Sequence, residues 1–101
     1  MERNGPRLRA NRKQQKALLG LLRGIRVEAG LRQIDLAKLL GVPQSYVSKY
    51  ESGERRLDAL ELHAVCQSLG LSLGAFATRL DEALGEPPTA PPSVTSARTP
   101  V

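Results

Sequence analysis

Several kinds of chemistry are scarce in this chain of 101 residues. It has a single cysteine and a single histidine. Lone Cys66 has no partner for an internal disulfide, and its apolar neighbours Ala64, Val65 and Leu69 mark it as a small core residue, consistent with a reduced, cytoplasmic setting. His63 lies toward the polar side of a helical pattern, where a solvated imidazole is expected and a catalytic base is not. No sequence spacing suits a metal, no glycine loop suits a phosphate cradle, and no basic side chain stands near Cys66 to activate a thiolate. These absences argue against an enzyme and against any cofactor. There is no run of 18 apolar residues, and the arginine-rich start has no apolar core of a signal sequence, so neither membrane nor secretion is expected.

The charge that is present lies unevenly along the chain, which is net +5. Arg3, Arg7, Arg9, Arg12, Lys13 and Lys16 face only Glu2 at the front. The basic excess continues to Arg55 and Arg56. Between 57 and 86 the sign reverses, with Arg79 against Asp58, Glu61, Asp81, Glu82 and Glu86. A basic front and an acidic back imply that one side meets a polyanion.

Composition divides the chain into three parts. Residues 1–13, with Gly5-Pro6 and little apolar spacing, read as a basic flexible arm suited to phosphate or the minor groove, or simply to solubility. Residues 14–84 read as one helical domain. Residues 85–101, rich in proline, serine and threonine, cannot bury a core and are expected to be disordered.

Within the domain a first helix is expected over about Gln14 to Ala29, with Leu18, Leu21, Leu22, Ile25 and Ala29 as its apolar stripe. Gly20 and Gly24 each cost about 1 kcal/mol of helix propensity, so packing must hold it. A second pattern, beginning near Gln33, carries Ile34, Leu36, Ala37 and Leu40. Gly41 ends it and Pro43 starts the next, because the missing proline N–H falls among donors that lack an intrahelical partner. The short link and the small Ala37 suit a helix-turn-helix.

The third pattern puts Val47, Tyr50 and Glu51 on one side. On the other stand Gln44, Ser45, Ser48, Lys49 and Ser52, side chains matched to base edges and phosphate oxygens. Arg55 and Arg56 follow within reach of a sugar-phosphate backbone. Gln33, at a helix start, can donate to a phosphate that the helix dipole also favours. Asp58 and Glu61 have the spacing of a capping box for a fourth helix, about Ala59 to Leu69, whose buried sides are expected to carry Leu60, Ala64 and Cys66. Ser72 caps a fifth, about Leu73 to Leu84, with Leu73, Phe76, Leu80 and Leu84 along one stripe. That stripe is expected to close the core, with an outer end long enough to meet a second copy.

With Gly30-Leu31-Arg32-Gln33, Leu36-Ala37, Leu40-Gly41-Val42, Tyr46-Val47-Ser48 and Glu51-Ser52-Gly53 in place, residues 18–80 resemble the helix-turn-helix family of the phage lambda and 434 repressors, Cro and the xenobiotic-response-element (XRE) regulators. The resemblance implies an all-α, five-helix domain that sets its third helix in the major groove of an operator, usually as a homodimer. By position it implies a phosphate contact for Gln33 and base reading by Gln44, with adenine the natural partner of its amide. It also brings Ser45, Ser48 and Lys49 to bases or nearby phosphates and places Tyr46 at the flank, its hydroxyl toward phosphate and its ring toward a thymine methyl. Glu51 matches a family acid that pairs with an arginine of the first helix, and Arg26 stands at that place. Pro43 departs from the usual serine or threonine cap, a loss of about 1 kcal/mol.

The function expected from these features is sequence-specific recognition of double-stranded DNA by a transcriptional regulator, a repressor in the first instance. Two alternatives use the same domain: an antitoxin that also binds a toxin through the fifth helix or the tail, and an interaction adaptor that uses the fold without DNA. Lys49, Arg55 and Arg56 weigh against the adaptor.

Overall fold

Leu22 and Ile25, in the second half of the first helix, are buried in the core. The computed structural model describes residues 12–85. It contains helices α1 (Arg12–Glu28), α2 (Gln33–Leu40), α3 (Gln44–Ser52), α4 (Ala59–Ser68) and α5 (Leu73–Leu84), with no strand among the described residues. The expectations for the arm before residue 12 and the tail after 85 lie outside this range. Helix α1 is already formed at Arg12, so Arg12 and Lys13 belong to it and not to the arm. Ala29 follows the helix and is exposed, which removes it from the expected stripe, while Leu18, Leu19 and Leu21 pack against the core.

The link from α2 to α3 follows from two residues. Gly41 adopts a left-handed φ of 72°, open to glycine without a Cβ clash, and its N–H donates to Lys38 O at 3.2 Å. Val42 N–H then closes on Ala37 O at 3.0 Å, completing the helix end. Pro43, at φ −66°, caps α3 with its backbone alone and accepts from Tyr46 N–H at 3.0 Å. Ala37 is fully buried where α2 and α3 meet.

Leu22, Leu36, Ala37, Val47, Tyr50, Val65, Cys66 and Phe76 are fully buried. Helix α3 rests on α1 and α2, α2 also on α4, and α5 closes over α1 and α4. One face of α3 is thereby spent on the core and the opposite face is held outward. In α4 the buried residues are Val65 and Cys66, with Leu62 and Leu69 packed beside them. Leu60 is 80% exposed and Ala64 is exposed too, contrary to expectation. The stripe that packs is 62, 65, 66 and 69, the i, i+3, i+4, i+7 pattern, and Leu60 and Ala64 fall outside it. Helix α5 buries Phe76 and packs Leu73 and Leu80 against the core, while Leu84, the last residue of the expected stripe, is half-buried and lies outside the core cluster.

Tyr50 carries an unusual feature. Its ring is fully buried, yet its hydroxyl has no hydrogen-bond partner among the described residues. Burial pushes the phenol's pKa strongly upward, and Glu51 adds to the shift. An unpaired buried hydroxyl costs about 1–3 kcal/mol, so Tyr50→Phe is expected to raise the thermal midpoint. A lower midpoint would mean that the hydroxyl has a partner in solution.

Two helix starts are tied by carboxylates. Asp58 Oδ1 accepts from Glu61 N–H at 2.7 Å and Glu61 Oε1 accepts from Asp58 N–H at 2.9 Å, the expected capping box of α4. At α2, Asp35 accepts from Arg32 Nη2 at 2.9 Å and from the Arg32 backbone N–H at 2.8 Å. The Arg32 guanidinium, helped by that N–H, holds Asp35 down from 3.8 to about 2. Arg55, helped by the Asp58 N–H, holds Glu61 down from 4.5 to about 2. In the window from about 4.5 to about 2 the unfolded chain takes up protons that these folded carboxylates refuse. Their contribution is therefore complete above that window and is lost as pH falls through it. Thermal midpoints measured from pH 5 to pH 2 are expected to fall, and the fall to be shallower in Asp35→Asn and Glu61→Gln; an unchanged slope in both variants counts against the assignment.

Candidate nucleic-acid interface

Helix α3 presents Gln44, Ser45, Ser48, Lys49 and Ser52 to solvent, as its pattern predicts, while Val47 and Tyr50 anchor its other side. These exposed groups are amide, hydroxyl and ammonium. Such donors and acceptors are what base edges and phosphates require, although the Ser52 hydroxyl is already spent on Lys49 O at 3.0 Å.

Behind this face runs a chain of polar contacts that begins inside the domain. Arg26 is buried, and its Nε and Nη2 donate to Glu51 Oε2 and Oε1 at 2.6 and 3.0 Å. Nη1 donates to Leu31 O at 2.8 Å, which ties down the α1–α2 link two residues before α2 begins. The side chains are only 9% and 5% exposed, and the hydrogen bond to Glu51 raises the arginine's pKa further. Glu51 Oε1 also accepts from Gln33 Nε2 at 3.0 Å. Gln33 Oε1 in turn accepts from Gln44 Nε2 at 3.3 Å.

The carboxylate sets the direction of this chain. An ionised glutamate only accepts, so Gln33 must turn its NH2 inward and its oxygen toward Gln44. Gln44 must then offer an N–H to Gln33, leaving its second N–H and its Oε1 for other partners. One donor and one acceptor side by side are what the major-groove edge of adenine pairs with. Gln33 keeps its second N–H for an outside acceptor. The structure thus brings Gln33 and Gln44, eleven positions apart, into one unit anchored on Arg26.

Arg23, Gln33, Ser48, Glu51 and Ser52 line an open cleft of about 300 Å³ between α1, α2 and α3. Arg23 is exposed and makes no ion pair among the described residues. In the sequence it is only one charge within the basic stretch that runs to Arg56. Its position one turn before Arg26 is the signal that places it near the same groove.

After α3 the chain turns at Gly53, and Glu54 and Arg55 N–H both donate to Lys49 O, at 2.9 and 3.1 Å. Arg56 is exposed, with no ion pair among the described residues. Arg55 is folded back. Its Nη2 lies 2.7 Å from Glu61 Oε2 and its Nη1 donates to Arg56 O at 3.0 Å. Its Cζ sits 4.3 Å from the centre of the Tyr46 ring, a cation–π distance. Tyr46 is half-buried, its ring edge-on to Tyr50 at 6.1 Å, and burial together with Glu61 pushes its phenol up. Arg55 and Tyr46, both expected to face DNA, are thus engaged within the domain.

Elsewhere, Cys66 is buried, which pushes its thiol up, and His63 is exposed with its Nε2 3.4 Å from the Gln67 amide nitrogen. Among the described residues no group of histidine, cysteine, aspartate or glutamate is arranged to hold a metal, and no helix is long and apolar enough to cross a membrane.

Comparison with known proteins places this architecture. The family model described as helix-turn-helix matches residues 22–76. An XRE-family like protein from Pseudomonas syringae pv. tomato str. DC3000 is 43% identical, with a TM-score of 0.66 over 69% of this chain and 85% of that one. The clp gene regulator ClgR from C. glutamicum is 32% identical, with a TM-score of 0.61 over 71% of this chain and 88% of that one. The restriction-modification controller protein C.Esp1396I is 25% identical, with a TM-score of 0.67 over 72% of this chain and 96% of that one. It has also been solved as a tetramer in complex with its natural 35 base-pair operator. No curated protein matches the sequence. The chain belongs to the XRE-type helix-turn-helix family.

Proposed function

We propose that this chain is a transcriptional regulator, a repressor in the cytoplasm, that binds double-stranded operator DNA sequence-specifically as a homodimer with α3 in the major groove. The observation that carries this reading is the contact chain Arg26–Glu51–Gln33–Gln44, which holds an amide at the head of an exposed polar helix with one donor and one acceptor presented outward. Gln44 reads a base, and Ser45, Ser48 and Lys49 extend the contact along the groove. Gln33 and Arg23 flank the cleft beside α3, where a phosphate gains both an amide donor and a guanidinium. Arg56 reaches the backbone on the other side. The operator complex of C.Esp1396I supports the same use of this fold.

The test is selection of bound duplexes from a randomised library by the full-length protein at about physiological salt. A two-fold symmetric motif with half-sites about one helical turn apart is expected. Retention without enrichment limits the domain to backbone binding, and absence of retention refutes the proposal.

Two basic residues separate backbone contact from base reading. Arg23→Ala and Arg56→Ala are each expected to weaken selected and random duplexes alike and to lower the slope of log affinity against log salt by about one unit. Loss confined to the selected sequence would assign them to bases.

A further inference from the structure

We infer that Arg55 is a positioning residue, a clamp that fixes the chain after α3 so that Arg56 meets the DNA backbone, and that Glu61 is its anchor. This rests on the DNA-binding reading above and goes beyond it in giving adjacent arginines different tasks.

The guanidinium of Arg55 is committed on three sides. One side is paired with the Glu61 carboxylate, at 2.7 Å to Oε2 and 3.3 Å to Oε1. Its Nη1 also grips the carbonyl of Arg56 at 3.0 Å. Its Cζ lies over the Tyr46 ring. Glu61 is itself held, because the same carboxylate accepts the Asp58 N–H that starts α4. Arg55 therefore ties together α3 through Tyr46, the Arg56 backbone, and the first turn of α4. A flexible link between two helices becomes one with a set path, and Arg56 leaves it with its side chain in solvent. Preorganising a charged group in this way spares the entropy of ordering it on binding.

A direct phosphate contact by Arg55 makes the opposite prediction about Glu61. In that case Glu61 competes with phosphate for the guanidinium, and removing its charge strengthens binding. As an anchor, its loss weakens binding even though the protein becomes more positive. Glutamine at 61 keeps an oxygen for the Asp58 N–H, so α4 retains its cap.

The experiment uses the full-length chain and a labelled random-sequence duplex, with affinity measured across a salt series below the lowest thermal midpoint of any variant. The variants are Glu61→Gln, Arg55→Ala, Arg55→Lys, Arg56→Ala and the Arg55→Ala/Arg56→Ala pair. Expected are weaker binding by Glu61→Gln, and a salt slope lowered by about one unit in Arg55→Ala, in Arg56→Ala and, without further loss, in the pair. Arg55→Lys is expected to behave as alanine does, since an ammonium cannot pair with a carboxylate as a fork while also gripping a carbonyl. Helix content by circular dichroism checks that each variant is folded.

Tighter binding by Glu61→Gln, a drop of about two units in the pair, or a normal slope in Arg55→Lys would each identify Arg55 as a direct phosphate ligand and overturn the clamp. Unchanged binding in both Arg55→Ala and Glu61→Gln overturns it as well. A wild-type chain that retains no duplex refutes the DNA-binding proposal itself and this inference with it, an outcome visible before any variant is compared.

Discussion

Arg26→Ala is expected to lower the midpoint of thermal unfolding by more than about 10 °C, the largest stability effect of any substitution considered for this domain. The reason is what remains afterwards. Glu51 is buried beside Arg26, and two of the arginine's N–H groups answer its carboxylate. Without them the carboxylate keeps, among the described residues, only the Gln33 amide, and Leu31 O loses the Arg26 donor as well. Removing one partner of a buried ion pair typically costs about 3–5 kcal/mol, chiefly because the other charge is stranded. For a domain of this size each kcal/mol moves the midpoint by roughly 4–8 °C.

The partner substitution separates charge stranding from lost packing. Arg26→Met/Glu51→Leu removes both charges and replaces them with apolar groups of similar size, and it is expected to recover much of the lost midpoint. Calorimetry or circular dichroism on the three proteins reads this directly. If the double variant is no more stable than Arg26→Ala, the pair's own attraction and not the stranded charge accounts for the loss. DNA preference is expected to fall less than stability in Arg26→Ala, since Gln44 and the serines still line α3. A fully stable variant that has lost preference would reverse these roles.

Much of this domain can be read from local chemistry. Gly41 and Pro43 mark the turn because one tolerates positive φ and the other cannot continue a helix, and both effects act within a few residues. The Asp58–Glu61 capping box is equally local. The stripe of α4 is harder. Leu60 and Ala64 are apolar, and only the packing of Leu62, Val65, Cys66 and Leu69 against the other helices decides which side is buried. Charged residues are the least legible. Sequence gives Arg55 and Arg56 the same charge next to each other, yet one turns to Glu61 and the other to solvent, because the direction of a long side chain depends on partners folded around it. Arg26 and Glu51 stand twenty-five positions apart, too far for local spacing to pair them; only the family resemblance implies the pair. The pairing holds in the structure. Arg23 entered the groove unannounced for the same reason: its neighbours come from α2 and α3.

The second large effect is on recognition. Gln44→Ala is expected to leave binding to random duplexes nearly unchanged while costing about 1–3 kcal/mol at one base pair of each half-site. The amide is well placed to cause this and little else. It is exposed at the first turn of α3, and its only hydrogen bond among the described residues is the 3.3 Å contact with Gln33, so truncation strands no buried charge. Gln33→Ala provides the contrast. Without Gln33 the Gln44 side chain loses the acceptor that orients it, and an outside phosphate loses an amide donor. That variant is expected to bind all duplexes more weakly and to discriminate less sharply, but to keep part of the preference, because Gln44 can still reach the base from other rotamers. Binding of each variant to the selected duplex, to its three single-base alternatives at that position and to a random duplex gives the two quantities separately. Equal losses on all duplexes for Gln44→Ala would make it a backbone ligand. Preference unchanged by Gln33→Ala would mean that the contact chain from Arg26 stabilises the fold but does not direct the reading of DNA.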